Sequence, residues 1–271
     1  MNDNRKPGAR RSCRHASLCL LLAGLAAGTA ATAPIVAPGS SPVTAAASSS
    51  PMDGPLRLLE EATRSYQDIR DYTCLLIKRE RIRGQLQPNH LIDMKVRTDP
   101  FSVYLHWLGP QDLVGQEACY VVGRNNGMMR VHATGLRSIA GFVSLDPQDP
   151  RVMQNSRHAI TDAGIGNLLV RYKGRWEMER SLNKTEVHVA DYEYNKRKCT
   201  RVEMIHPDTG SRQYYVYRSV VYFDKQNHLP VRVENYDWPR QGGPPQGDLL
   251  ESYSYVQLQF NVNLPDGTFN H

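Results

Sequence analysis

The stretch LESYSYVQLQF, residues 250–260, sorts its side chains strictly by parity. Leu250, Ser252, Ser254, Val256, Leu258 and Phe260 fall on one side, and Glu251, Tyr253, Tyr255, Gln257 and Gln259 on the other. A period of two is the signature of a strand, and no helical repeat produces it. Working backwards, the same texture recurs at 230–237, 213–223, 199–206 and 185–194. In the first half, Tyr72, Cys74 and Leu76 alternate with Thr73, Leu75 and Ile77 until the charged run Lys78-Arg79-Glu80-Arg81 before Gly84, and strands follow at 91–97, 102–108, 117–123 and 128–133. Asn125-Asn126-Gly127 between the last two is a hairpin signal, because a tight turn needs residues that tolerate positive φ.

Two segments keep a helical period instead. Asp53 is placed to cap a helix with Pro55 in its first turn and Leu56, Leu59, Ala62, Tyr66 and Ile69 along one stripe. Thr161 is the expected cap of a second, with Ile165, Leu168, Leu169, Tyr172 and Trp176 on one face. About ten or eleven strands joined by hairpin-length links predict an antiparallel sheet too wide to stay flat. The expected fold is α+β: a curled antiparallel β-sheet, a half-open β-barrel, with helices covering the concave face.

The chain has 271 residues with 33 Lys+Arg against 27 Asp+Glu, a formal charge of +6. Five of those bases (Arg5, Lys6, Arg10, Arg11, Arg14) lie before residue 34, opposed by Asp3 alone, and an uncharged apolar run from Ala16 to Ala31 follows them. That is the layout of a signal peptide over residues 1–33, with Ala31-Thr32-Ala33 or Ala45-Ala46-Ala47 as the cleavage pattern. Residues 34–52 read as a Pro/Ala/Ser linker and 53–271 as one domain. Without the leader, 28 basic residues face 26 acidic ones, so little electrostatic case for nucleic acid remains. An exported protein in the periplasm or another extracytoplasmic space is expected. Of the cysteines after the leader, Cys74 and Cys199 are the expected disulfide partners and Cys119 a buried thiol, three packed thiols being the alternative.

Catalytic motifs are weak. Gly164-Ile165-Gly166 lacks a third glycine and a preceding strand, Ser181-Leu182-Asn183-Lys184 matches only two fixed positions of a Ser-x-x-Lys pattern, and no cysteine or histidine spacing suits a metal or cofactor. His158, in Ser156-Arg157-His158, stands between the sheet half and the helical segment, where a loop could present it to a cavity, the alternative being a histidine that hydrogen-bonds its local loop. Phe101, Trp107, Trp176 and Trp238 are the aromatic residues that could line an apolar cavity. The basic runs at Lys78-Arg79-x-Arg81-x-Arg83 and Lys196-Arg197-Lys198 stand at strand ends, where such charge protects edges or meets a membrane surface.

Several strings in order resemble a secreted bacterial family catalogued as a domain of unknown function: Tyr72-Thr73-Cys74 with Lys78-Arg79-Glu80, Lys95-Val96-Arg97 with 100–104, Ser156-Arg157-His158, Leu229-Pro230-Val231-Arg232, and Tyr236-Asp237-Trp238-Pro239. The likeness runs from about residue 56 to the end. In its order of elements the chain also resembles the lipoprotein-carrier superfamily of LolA, LolB and RseB, which implies a half-open barrel holding acyl chains on its concave face. The resulting expectation is a non-enzymatic extracytoplasmic protein that binds a lipid, a lipoprotein acyl chain or another apolar ligand. The alternatives are an envelope regulator or scaffold that binds a protein partner through the sheet, and a hydrolase using His158. An open apolar cavity favours the first and a packed one the second.

Overall fold

The computed structural model describes residues 50–207 and 213–271. The expected signal peptide and all but the last three residues of the expected linker lie outside the described residues. Helix α1 (Asp53–Gln67) leads into β1 (Asp71–Ile82), β2 (Gln85–Leu86), β3 (His90–Arg97), β4 (Ser102–Gly109), β5 (Glu117–Val121), β6 (Met129–His132) and β7 (Phe142–Leu145). Helices α2 (Pro150–Met153) and α3 (Ile165–Leu182) follow, then β8 (Glu186–Tyr194), β9 (Arg197–Ile205), β10 (Arg218–Asp224), β11 (Pro230–Tyr236) and β12 (Leu249–Phe260).

Every strand pairing is antiparallel, in the order β7-β6-β5-β4-β3-β1-β12-β11-β10-β9-β8, with β2 folded back on β1. Two meanders are thus stitched together where β1 meets β12. The sheet is not closed: β7 and β8 are its two edges. The chain must pass from one edge to the other between residues 145 and 186, a crossing of about 48 Å for a flat sheet of eleven strands. It therefore runs over one face, and α3 with α1 covers that face. The α+β class and the curled sheet with helices over its concave side match the sequence reading.

One large core lies between sheet and helices, including Tyr72, Cys74, Leu76, Ile92, Met94, Val96, Trp107, Leu169, Trp176, Val221 and Phe223. Tyr72 also anchors the start of α3. Its hydroxyl accepts a hydrogen bond from the Ile165 N–H at 2.8 Å, taking up one of the helix's orphan donors. Gly164 precedes it at φ +92, where a Cβ would stand 2.8 Å from that hydroxyl, and a Cβ on Gly166 would stand 2.6 Å from the Tyr66 ring. Both glycines of the would-be dinucleotide loop are there to admit tyrosines.

Several expectations are corrected. The first helix is capped by Met52, itself buried, and Asp53 instead accepts from the Ser50 N–H and pairs with Arg180 at 2.9 Å. The second starts after Gly164, Thr161 belonging to a short 3-10 turn. The strand expected from residue 213 begins only at Arg218, because His206 donates its Nδ1–H to the Val216 carbonyl at 2.7 Å and holds 213–217 as a loop. Strict parity in 250–260 also fails: Gln257 adopts φ +56 in a bulge opposite Cys74, so the core takes Tyr253 and Tyr255 before it but Leu258 and Phe260 after it. Strands β2 and β7 and helix α2 lie outside the sequence reading. β7 carries only four residues, and α2 is one turn whose start is capped by the Asp149 carboxylate accepting from the Arg151 N–H at 2.8 Å.

The expected Cys74–Cys199 disulfide does not form; Cys74, Cys119 and Cys199 are free, buried thiols. In sheet order β1 and β9 are four strand spacings apart, about 19 Å along the sheet, against the roughly 7 Å that a disulfide spans. The two residues also belong to opposite faces. Cys74 sits in the helix-side core, while Cys199 packs with Val220, Tyr222 and Val231 on the other face. Burial pushes Cys119 up to about 11 and raises the other two thiols as well. In native buffer these three cysteines should resist iodoacetamide over minutes, and each should gain one adduct once guanidinium is added. A mass shift of minus two between Cys74 and Cys199 peptides would contradict this.

Candidate functional site

On the helix side of β1 the even-numbered residues run Tyr72, Cys74, Leu76, Lys78, Glu80, so the lining turns from apolar to charged toward one end. Antiparallel register sets Glu80 directly opposite Glu251 of β12, and Lys78 opposite Tyr253. Both carboxylates are nearly sealed from solvent, Glu80 at 3% and Glu251 at 2% exposure. Two adjacent buried carboxylates are costly unless each is paired and hydrogen-bonded.

Both are. The Lys78 ammonium lies 3.0 Å from Glu80, whose other oxygen accepts from the Tyr253 hydroxyl at 2.5 Å. Glu251 accepts from Arg157 Nε at 2.9 Å, from His158 Nε2 at 2.9 Å, from Asn235 Nδ2 at 2.8 Å and from the Tyr215 hydroxyl at 3.2 Å. Burial pushes the Glu251 carboxyl up, but the hydrogen bonds from His158 and Asn235 and the Arg157 guanidinium prevail and hold it at about 2. The segment between α2 and α3 supplies this cover. The Arg157 N–H donates to Glu80 at 3.2 Å, and Ser156 accepts from Lys78 at 2.9 Å while donating to the His158 carbonyl. The cluster reaches further into the core through Tyr172 of α3, whose hydroxyl stands 3.4 Å from Asn235 and 3.5 Å from Ser219.

Both ring nitrogens of His158 are engaged, because Nδ1 faces Arg171 Nη1 at 3.4 Å. Contacts at both nitrogens fix the orientation of the ring, and Ser156 Oγ is turned to Lys78 and a carbonyl. Among the described residues no group of three or more His, Cys, Asp or Glu side chains is placed to hold a metal ion.

The four expected aromatic residues do not converge. Trp107 and Trp176 are core residues, and the Trp107 indole donates to His90 Nδ1 at 3.2 Å. Phe101 packs at the core's margin, 6.3 Å from Tyr120, and Trp238 is half-buried beyond β11. A void with no room for a water molecule remains between α1, α3 and the sheet; Leu59, Leu168, Leu169, Tyr172, Val221 and Phe223 line it with Pro230 and Val233. A cleft of about 260 Å³ opens beside it between α1 and the β10–β11 turn, and Phe223 lines both.

Sequence reasoning found His158 and missed its partners. Glu80 was absorbed into a charged strand end, and Glu251 lies on the side of β12 that reads as polar. The available signal was that Glu251 shares its side with Tyr253 and Tyr255, two large rings that water does not readily accommodate.

The chain is similar in fold to several solved structures. A conserved protein from Thermus thermophilus is 10% identical, covering 80% of this chain and 93% of that one at a TM-score of 0.46. The lipoprotein LppX of Mycobacterium tuberculosis is 10% identical over 78% of this chain and 97% of its own, at 0.44. A LolA superfamily protein from Nitrosomonas europaea is 11% identical over 80% and 97%, at 0.31. No curated protein matches the sequence. Residues 69–271, most of the described domain, match the family whose description is "Protein of unknown function (DUF1571)", and the chain belongs to that family.

Proposed function

We propose that the protein is an exported, non-enzymatic binding protein whose concave face receives an apolar or lipidated ligand, with residues 1–33 as its signal peptide, 34–52 as a tether and 53–271 as the binding domain. The observation that carries this is the graded lining of that face. An apolar strip beneath α1 and α3 ends at charged and hydroxyl groups, a sequence of environments that suits an amphipathic molecule. In the structure the strip is closed by α1, which buries only Pro55, Leu59 and Ala62 of its own residues. Lifting it exposes apolar surface worth on the order of 5 kcal/mol. An acyl chain returns about 0.8 kcal/mol per methylene, so about six methylenes offset the lid.

Titration with a fluorescent fatty acid should give saturable binding at micromolar protein. Leu59→Asp, which loosens α1, should speed uptake without abolishing it. Absence of saturable binding by both proteins would sink the reading. The narrowness of the void favours a second reading, a module that binds a protein partner through the sheet. A stoichiometric partner recovered with no lipid in its extract would support that instead.

A further inference from the structure

Around the mouth of the charged end the side chains close a ring. Arg171 reaches His158 at 3.4 Å, His158 reaches Glu251 at 2.9 Å, and Glu251 reaches Arg157 at 2.9 Å. Arg157 Nη2 then donates to the Tyr215 hydroxyl at 3.2 Å, and the Arg175 guanidinium lies 3.9 Å over the Tyr215 ring. Arg175 and Arg171 are one helical turn apart on α3 and so share a face, which completes the circuit.

The charges in this ring do not balance. Three guanidiniums face one carboxylate, Glu251, already held by Arg157. Glu80 is neutralised by Lys78. Arg171 has only a long pairing, 3.9 Å, to Asp162, itself 45% exposed, and Arg175 has no carboxylate partner among the described residues. The Tyr215 ring holds the Arg175 guanidinium by a cation–π contact that uses none of its N–H groups. Preorganised guanidinium forks with surplus charge are what a tetrahedral oxyanion selects, because they give paired, charge-assisted hydrogen bonds. The basic run at the β8–β9 hairpin lacks such forks: Arg197 is paired with Asp224 at 2.7 Å, and Lys196 and Lys198 offer single ammonium groups at a hairpin tip.

We infer that Arg157, Arg171 and Arg175 form a binding site for a phosphate-bearing anion, and that the ligand of the concave face is accordingly an anionic phospholipid, a conclusion that rests on the apolar-ligand reading above. The apolar strip takes the acyl chain and the ring takes the phosphate. Tyr215, over a third exposed, marks where the headgroup meets solvent.

Calorimetric titration of the purified protein with dihexanoyl phosphatidate, dihexanoylglycerol and inorganic phosphate separates the parts. Phosphatidate should bind at least tenfold tighter than dihexanoylglycerol, which has the same chains and no phosphate. The double variant Arg171→Gln/Arg175→Gln should lose that margin and keep the dihexanoylglycerol affinity, and Arg171→Lys/Arg175→Lys, which keeps the charge but not the forks, should lose part of it. Lys196→Gln/Lys198→Gln should match the wild type. Equal wild-type affinity for phosphatidate and dihexanoylglycerol overturns the phosphate site and leaves the apolar-ligand reading standing. Phosphate binding as tight as phosphatidate, with none for dihexanoylglycerol, confirms the ring and overturns the lipid as its source. Binding of none of the three overturns both.

Discussion

Glu251→Ala should lower the unfolding free energy by about 3–5 kcal/mol, the range for breaking a buried ion pair from one side. The variant leaves the Arg157 guanidinium, the His158 Nε2–H and the Asn235 amide without the acceptor around which they are arranged. Glu251→Gln keeps the shape and one acceptor oxygen, so it should cost less while still leaving Arg157 unneutralised. Acid should act on the same group. Its carboxyl is held at about 2 in the folded state against 4.5 for an unperturbed glutamate. A depressed value stabilises the fold above the unfolded pKa, and that contribution is lost as pH falls through the folded one. Holding the proton off is worth roughly 3 kcal/mol, fully present at pH 6 and draining away between about pH 5 and 2. Chemical denaturation of wild type and Glu251→Gln across that range should show the two midpoints converging as the pH drops. Parallel curves would assign the acid sensitivity elsewhere.

Trp176→Ala should be as damaging, at about 3–5 kcal/mol. Its ring is 1% exposed and makes edge contacts with Tyr172 at 5.4 Å and Phe223 at 6.2 Å. This ties the middle of α3 to the strip of sheet that β10 contributes. If Trp176 served chiefly to touch a ligand, its removal would spare the fold and weaken binding. As a core residue it should shift the melting temperature of the ligand-free protein by many degrees, and a melting curve alone decides between them. The same logic bears on Trp107, whose exchange for Asp would put an unpaired charge into the core and unfold the sheet rather than report on uptake.

Much of the architecture was legible because strands announce themselves by parity. Strands β1, β3, β4, β5 and β6, the hairpin at Asn125-Asn126-Gly127 and the α3 stripe all follow from local spacing. What failed was non-local. A bulge at Gln257 that exchanges the faces of β12 depends on its pairing with β1, and no property of the eleven residues alone reveals it. The separation of Cys74 from Cys199 follows from sheet order, which is fixed only when the two meanders join. The site was hidden for the same reason. Glu80 and Glu251 are 171 positions apart in the chain and become neighbours through one strand register. His158 was visible because a loop between two elements is where sequence places chemistry, but its carboxylate could not be named.

The seam between β1 and β12 also dictates the order of assembly. All the other long strand pairs join segments close in sequence and can zip as hairpins, whereas this one closes a loop of about 170 residues and carries the entropic penalty of doing so. Until it forms, each meander has a raw edge of up to twelve residues, with hydrogen-bonding groups that neighbouring chains can capture. A polypeptide emerging N-terminus first must hold β1 unpaired on that side until Phe260 has emerged. The folding rate and the aggregation risk of the whole protein are therefore set at the strand pair that also sets Glu80 against Glu251.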